Sequence, residues 1–194
     1  MSTSTHKKGE KMTDKRQHLL ETALHLFYKN GVQAVGINEI IKTSGVAKKT
    51  LYHHFSSKDE LVIAALNTRD QRFCTWFENL LVGANSNKEL VERIFSGLSQ
   101  WFNNEVNCLD TFRGCFFINT SAEFSDANCP IAIRCKEHKQ RIKQIISKYL
   151  TQPDDNLLES ICTLKEGAIV LAHVCQDKLA AKRACLTAQK LLNT

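Results

Sequence analysis

Helix-breaking residues are scarce in this chain, and their scarcity limits the possible folds more than any other feature. The 194 residues include only two prolines and eight glycines, whereas a protein of many short strands needs such residues at its turns. Between these breaks, apolar residues recur at steps of three and four, which is the spacing of a helix with one buried face. The sequence therefore predicts an all-α fold.

Stop and start signals divide the N-terminal third into four predicted helices. Asn30-Gly31 is a C-terminal stop, Gly45 suits a tight turn with positive φ, and Ser57 and Glu60 have the spacing of a capping box. The predicted helices run from Thr13 to Asn30, from Asn38 to Ser44, from Ala47 to Phe55 and from Ser57 to about Leu80.

The remaining two thirds of the chain also show helical patterns. Ser86 and Glu89 repeat the capping-box spacing, and Pro130 suits the first turn of a helix. Apolar residues between Leu157 and Cys175 cover more of the circumference than a surface helix needs, which predicts two buried faces. The predicted helices start at Ser86, at Gly114 (a short one, ending near Phe124), at Pro130, at Leu157 and near Lys178.

The charge is concentrated at the N-terminus. Residues 1–72 hold 12 Lys and Arg against 7 Asp and Glu, so they carry +5 of the net charge of +6. This asymmetry suggests a polyanionic partner for the first third. Residues 1–12 lack apolar side chains other than methionine, so we expect them to form a disordered basic arm.

The eight cysteines do not indicate a secreted disulfide framework. The N-terminus is polar and basic, without the apolar stretch of a signal peptide. No apolar run approaches the roughly 20 residues of a membrane span. We therefore expect a cytoplasmic protein with free thiols and without a membrane partner.

Residues 38–55 have the layout of a helix-turn-helix, in which two short helices are joined by a turn that contains glycine. Leu51 and Phe55 lie four residues apart on one face of the second helix, while lysine, tyrosine and histidine occupy the others. Lysine and hydroxyl groups contact phosphates, and side chains on such a helix reach base edges in the major groove. This spacing predicts binding to double-stranded DNA.

The segment from Gly31 to Leu61 resembles the DNA-binding domain of the TetR/AcrR family of bacterial transcriptional repressors. The motifs that carry the resemblance are Glu39-Ile40, Ser44-Gly45-Val46, Thr50-Leu51-Tyr52-His53-His54-Phe55 and Ser57-Lys58-Asp59-Glu60-Leu61. The resemblance covers roughly residues 13–65, and the later residues match only in their helical layout. It implies a DNA-binding domain at 13–65 and a helical effector-binding and dimerisation domain at 66–194.

The resemblance also implies roles for individual residues. Thr50, Tyr52 and Lys58 would contact phosphate, and Lys48, Lys49 and His53 would read bases. The chain departs from the family at Gly36, where a Thr often begins the second helix, and at Ala47, where a Ser or Thr usually caps the third. We therefore expect Asn38 to serve as a replacement cap or contact.

The family resemblance further implies a homodimeric repressor, without a cofactor, that releases a palindromic operator when a small molecule binds. Such pockets are mainly apolar with a few polar groups. The residues expected to line the pocket are Trp101, Phe102, Phe116, Asn119, Glu123 and His173.

Three alternatives remain open. Reversible oxidation of a pair such as Cys108 and Cys115 would make the protein a thiol-redox-sensing repressor. A helical interaction protein without DNA binding is the second alternative. An enzyme is the third, and it is disfavoured because the chain lacks a glycine-rich phosphate loop, an HExxH pair and a GxSxG elbow. Metal binding is also disfavoured, because Cys135 with His138 and His173 with Cys175 do not have structural zinc spacing.

Overall fold

The computed structural model describes the backbone of residues 4–192 and the side chains of residues 14–192. Within these residues there is no strand, and the prediction of an all-α fold is confirmed. The helices are α1 (Ser4–Asn30), α2 (Ile37–Ser44), α3 (Lys48–His54), α4 (Lys58–Leu81), α5 (Asn87–Phe102), α6 (Phe116–Ala122), α7 (Pro130–Tyr149), α8 (Asp155–Val174) and α9 (Ala180–Leu191), with a short 3-10 helix at Asn107–Leu109.

The start of α1 differs from the prediction. The backbone is helical from Ser4, whereas the sequence suggested a disordered arm over residues 1–12. Extending an existing helix costs much less than nucleating one, and the lysines and glutamate of this segment are good helix formers. Residues 1–3 and the side chains of residues 4–13 lie outside the described part of the chain, so a role of the arm in DNA binding stays a prediction.

The chain divides into two compact units. The first contains residues 4–69 and 119–135, and the second contains residues 70–118 and 136–192. The segment 119–135 groups with the first unit, although the sequence analysis placed it with the C-terminal helices. Its Glu123 accepts hydrogen bonds from the backbone N–H groups of Val32 and Gln33, and Arg134 donates to Asn67.

Helices α1, α2 and α3 pack together around apolar residues on their inner faces. Each of these side chains is almost completely buried: Leu19, Leu20, Ala23, Leu24, Phe27, Ile40, Leu51 and Phe55. Burying one such side chain contributes about 1.5–3 kcal/mol. This small core fixes α3 with one face inward and leaves its other faces exposed.

Both predicted capping boxes begin a helix, with one difference from the standard pattern. Ser57 Oγ accepts from the Glu60 N–H at 3.1 Å, and Ser86 Oγ accepts from the Glu89 N–H at 3.1 Å. The glutamate side chains accept from the N–H of the residue before the serine, Ser56 at 2.6 Å and Asn85 at 3.0 Å. The two signals therefore define the starts of α4 and α5.

The second unit is held together by contacts among α5, α8 and α9 and by a cluster of aromatic rings. Trp101 lies at its centre, with ring centroids 4.9 Å from Phe112 and 5.3 Å from Phe73. No helix among the described residues combines the length and the apolar character that crossing a bilayer requires.

Candidate DNA-binding interface and sites in the second unit

The turn between α2 and α3 has the geometry that the sequence predicted. Gly45 has φ of +67° and donates its N–H to the carbonyl of Ile41 at 2.9 Å. A side chain at this position would be strained in the left-handed region. His18 Nε2 lies 3.0 Å from the carbonyl oxygen of Ser44, which ties α1 to the end of α2.

Helix α3 presents a basic and aromatic surface. Lys48, Lys49 and His53 are exposed, Tyr52 is 46% exposed, and Thr50 is half-buried. Within the described part of the chain, neither lysine has a carboxylate within ion-pair distance. Their charges are therefore available to a polyanion. The positions meet the requirement for phosphate contacts and base readout, and the individual roles stay predictions.

The helix starts show which residues act as caps. Gly36 is the N-cap of α2 and Ala47 is the N-cap of α3, and neither provides a side-chain hydrogen bond. Asn38 therefore does not replace the cap, because it lies inside the first turn of α2. It is exposed, so its role as a DNA contact stays a prediction, and so does that of Lys58, which is half-buried at the start of α4.

His54, on the same helix, turns toward the interior. Burial lowers the pKa of its ring below the usual value, and the charges of His53 and Arg16 lower it further. The side chain of Arg16 lies 4.9 Å from the centroid of the Phe55 ring. The structure thus places His54 beside residues of α1, away from the exposed face of α3.

The six residues predicted for the effector pocket are divided between the two units, and their role as pocket residues stays a prediction. Trp101, Phe102 and Phe116 are buried packing residues of the second unit, and His173 is half-buried with its ring 6.2 Å from that of Phe112. Asn119 and Glu123 belong to the first unit. Glu123 is occupied by the backbone of the turn after α1, because it accepts from Val32 N–H at 2.9 Å and Gln33 N–H at 2.6 Å.

The second unit contains an open groove of about 540 Å³ along α7 and α8. Isoleucine side chains and the stems of lysines give it mainly apolar walls. Its lining differs from the predicted pocket and consists of Ile118, Lys139, Gln140, Ile142, Lys143, Cys162, Thr163, Lys165 and Glu166.

Charged groups meet a thiol at one side of this groove. Lys139 Nζ lies 3.3 Å from Cys115 Sγ and 2.7 Å from a carboxylate oxygen of Glu166, which also pairs with Lys165. Burial alone would raise the pKa of Cys115, but the charge of Lys139 and the hydrogen bond from His138 lower it to about 6. Burial likewise opposes ionisation of Glu166, and the two lysines lower its pKa to about 2.

A second buried cluster adjoins the thiol. His138 Nδ1 lies 2.6 Å from Asp70 Oδ1, Arg141 donates to Asp70 Oδ2 at 2.8 Å, and Cys74 donates to Oδ1 at 3.4 Å. The donor atoms of Asp70, Cys74 and His138 lie within 4.8 Å of one another. We assign no metal here, because the guanidinium and imidazole groups already pair with the carboxylate.

The sequence by itself indicated little of this cluster. It drew attention to Cys115 as one member of a candidate redox pair with Cys108, and to His138 as part of a pair for which metal binding was disfavoured. Asp70 and Cys74 lie four residues apart, so they share one face of α4, and this spacing was the one local signal available. His138 and Lys139 come from α7, and no local pattern connects α4 with α7.

Helices α8 and α9 leave an apolar face uncovered. On α8 the exposed positions Gly167, Val170, Leu171 and Val174 share one side, and Leu179 and Leu186 are exposed at the start of α9 and within it. A Cβ added at Gly167 would have no atom within 4 Å. The prediction that α8 buries two faces is therefore not met within one chain.

Comparisons with known proteins agree with this geometry. The family model described as bacterial regulatory proteins, tetR family, matches residues 19–65. The repressor ComR of Escherichia coli is 28% identical over 140 residues, which are 71% of this chain and 64% of ComR. The repressor NemR of Escherichia coli is 26% identical over 171 residues, which are 87% of this chain and 84% of NemR. The match thus spans slightly less than two thirds of ComR.

Two solved structures show the same fold. SCO4454, a TetR-family transcriptional regulator from Streptomyces coelicolor, superposes with a TM-score of 0.83 at 25% identity over 93% of this chain and 95% of its own. The reduced form of Escherichia coli NemR superposes with a TM-score of 0.75 at 23% identity over 91% and 96% of the two chains. The second similarity is evidence for the fold alone.

A helix-turn-helix with an exposed basic helix, joined to further helices, defines a DNA-binding transcriptional regulator. The DNA-binding segment of this chain, residues 19–65, matches the TetR family of bacterial regulatory proteins. The relatives named above are described as transcriptional repressors or regulators, which agrees with the prediction that this chain is a regulator rather than an enzyme.

Proposed function

We propose that this protein is a homodimeric repressor that binds a palindromic operator in the cytoplasm and releases it when a small molecule binds the second unit. The observation that carries the proposal is the exposed basic face of α3 on a buried helix-turn-helix core. ComR and NemR are both described as transcriptional repressors, and this supports repression here.

In the proposed complex α3 enters the major groove. Lys48, Lys49 and His53 read base edges, while Thr50 and Tyr52 contact phosphates. Asn38 and Lys58 add contacts from the starts of α2 and α4. A two-fold dimer then presents two copies of α3 to half-sites separated by one helical turn, roughly 34–36 Å.

The apolar face of α8 and α9 supports the dimer. Exposed valine and leucine side chains at helical spacing are typical of surfaces that pack against another helix. Gly167 lies on this face with open space around it, so a partner helix can approach closely. Two copies of this helix pair form a four-helix bundle, as the family resemblance implies.

Release requires that the effector bind more tightly to a protein state with low operator affinity. Bound effector weakens the binding of DNA, and bound DNA weakens the binding of the effector by the same coupling free energy. The groove along α7 and α8 is the cavity we propose for the effector, because its volume of about 540 Å³ lies within the usual range of ligand sites.

The first test measures binding to the intergenic DNA upstream of the protein's own gene, against a scrambled duplex, over a series of salt concentrations. A protein that neutralises Z phosphates gives a log–log slope of about −0.9Z. Tyr52→Phe is expected to lower the affinity for both duplexes by about fivefold per half-site, which is the effect of losing one hydrogen bond. Lys49→Ala is expected to weaken operator binding more than binding to scrambled DNA, because it removes a base contact.

Lys88→Ala is the matched control, since Lys88 is an exposed lysine in the second unit and no DNA contact is proposed for it. It should leave both affinities unchanged. Equal relative losses on the two duplexes would remove Lys49 from the base-reading residues. Absence of salt-dependent binding to any duplex at low salt would contradict the proposed function.

Thiol sensing is a second candidate function, favoured by one observation. Cys115 Sγ lies 3.3 Å from the Lys139 ammonium, and its pKa is lowered to about 6. Reactive cysteines occur beside such positive groups, whereas structural buried cysteines are inert. In this version the protein would respond to the chemical modification of Cys115 and not to a reversibly bound ligand.

A further inference from the structure

We propose that Asp70, His138 and Lys139 hold Cys115 as a nucleophile that forms a covalent adduct with small α,β-unsaturated carbonyl compounds. The proposed reaction takes place at one site in the second unit. Its regulatory consequence, release of DNA by the adduct, rests on the function proposed above.

His138 is held in a fixed orientation between two acidic groups. Its Nδ1 lies 2.6 Å from the Asp70 carboxylate, and its ring stacks on Phe117 with centroids 3.6 Å apart and an interplanar angle of 8°. The centroid of the Phe73 ring lies 5.4 Å from that of His138, in an edge-to-face arrangement. A hydrogen bond from His138 and the charge of its ring also lower the pKa of the Cys115 thiol. Nucleophile, base and orienting carboxylate thus follow in the order found in catalytic triads.

The charges around Cys115 favour its thiolate. Lys139 and His138 face the sulfur directly and outweigh both burial and the carboxylate of Glu166. Burial opposes the charge of Lys139, but Cys115 and Glu166 raise its pKa above the usual value, so it stays an ammonium group. Beyond this shell, Asp70 is paired with Arg141. Above a pH of about 6, Cys115 is therefore mainly a thiolate.

Lys139 links the groove to the sulfur, because it lines the groove and also contacts Cys115, which is not itself a lining residue. Cys115 itself is 6% exposed, but the side chain of Lys139 is 31% exposed and lines the groove. Its ammonium group is the one that contacts the sulfur. We expect a molecule of a few heavy atoms to reach Cys115 by moving the Lys139 side chain away from the groove wall.

The proposed addition is balanced without an oxidant or reductant. The thiolate donates an electron pair to the β-carbon and a sulfur–carbon bond forms. The π electrons of the carbon–carbon double bond move onto the carbonyl oxygen, where the Lys139 ammonium stabilises the negative charge. Lys139 then supplies a proton to the α-carbon and regains one from water. The product is a neutral thioether.

An α,β-unsaturated carbonyl compound reacts with the thiolate of Cys115 and is also stabilised, as its oxyanion forms, by the ammonium group of Lys139. A peroxide requires the thiolate, but its sulfenic acid product is typically captured by a second thiol. In this structure, the groups that hydrogen-bond with the sulfur of Cys115 are the nitrogen groups of Lys139 and His138. Adduct formation also removes the negative charge that these two groups face, which provides a physical cause for a change in conformation.

The test treats the full-length protein with methyl vinyl ketone over a pH series and identifies the modified residue by peptide mass spectrometry. Cys115 is expected to react first, with a half-maximal rate near the pKa of about 6. Lys139→Met should raise this midpoint by about one to three units, because it removes the adjacent opposite charge. Asp70→Asn should also raise the midpoint, because the His138 ring loses the carboxylate that fixes its orientation.

The pH midpoint is the decisive measurement, because the rate at neutral pH changes little. A more basic thiolate is also a stronger nucleophile, with a Brønsted coefficient of about 0.4–0.5, so a shift of ~2.5 units lowers the rate at pH 7 by only about twofold. Lys136→Met is the control for a lost lysine on the exposed side of α7. Thermal unfolding of each variant verifies that it is folded. If Asp70→Asn does not fold, the shift of the midpoint in Lys139→Met is sufficient to test the proposal.

Other outcomes overturn the proposal. Faster reaction at the exposed Cys108 or Cys175, with Cys115 unmodified, contradicts it. An unchanged midpoint in Lys139→Met, compared with Lys136→Met, also contradicts it. Modification of Cys115 by hydrogen peroxide but not by the enone overturns the electrophile class in favour of redox sensing. An adduct at Cys115 that leaves operator affinity unchanged overturns the regulatory step alone, and operator binding by the untreated protein tests the proposed function separately.

Discussion

Replacing Leu171 and Val174 together by glutamate is expected to convert the protein from a dimer to a monomer and to weaken operator binding by about 10²–10⁴-fold. Both residues lie on the apolar face of α8, where they are 44% and 71% exposed in the single chain. Burying two carboxylates in a helix–helix interface costs several kcal/mol. The loss of affinity follows because the second DNA-binding unit no longer binds at the high effective concentration of a linked site.

Light scattering after size exclusion measures the dimer, and a titration with operator DNA measures the affinity. Val82→Glu is the matched control, since Val82 is a 56% exposed valine outside the face formed by α8 and α9. The control should remain dimeric. A double variant that stays dimeric would show that a different surface forms the dimer, and a monomer with full affinity would contradict the requirement for two linked units.

Glu123→Ala is expected to lower the free energy of unfolding by about 2–3 kcal/mol. The carboxylate accepts hydrogen bonds from the N–H groups of Val32 and Gln33, at 2.9 and 2.6 Å. Hydrogen bonds to charged groups contribute about 1.5–3 kcal/mol each, and the exposed bond to Gln33 contributes less because water replaces it. Gly31 has φ of +91°, and a Cβ there would lie 3.3 Å from the carboxylate, so backbone and carboxylate approach closely.

Urea unfolding followed by circular dichroism measures this change. Glu105→Ala is the control, because it removes a carboxylate from an exposed position in the second unit. It should change stability by less than about 0.5 kcal/mol. Equal stability of Glu123→Ala and Glu105→Ala would show that the two hydrogen bonds do not stabilise the first unit.

The sequence alone was sufficient for the class of fold and for the DNA-binding unit. The spacing of Leu51 and Phe55, the glycine at position 45 and the capping box at Ser57 are signals within a few residues of one another. Local signals are readable because helix periodicity and turn chemistry depend on neighbouring residues. The sequence placed α2 and α3 within one residue of their observed bounds, and Leu51 and Phe55, which it placed on one face of α3, are both buried.

The predicted effector residues show what a local pattern leaves open. Phe116 and Trp101 are apolar and helical in pattern, and this pattern is the same for a core residue as for a pocket wall. The sequence identified Glu123 as a polar group for a ligand. Its carboxylate instead accepts from backbone groups 91 and 90 residues away. Only the tertiary contacts distinguish these roles.

The sequence thus determined that this chain is helical and that its N-terminal third carries a DNA-binding helix, because periodicity, turns and caps are properties of short segments. The tertiary structure decided the environment of Cys115. It brings Lys139 to the sulfur from 24 residues away, and it pairs His138 with Asp70 across 68 residues. The pKa of a thiol depends on charges close to it in space, and no spacing along the chain records which charges those are.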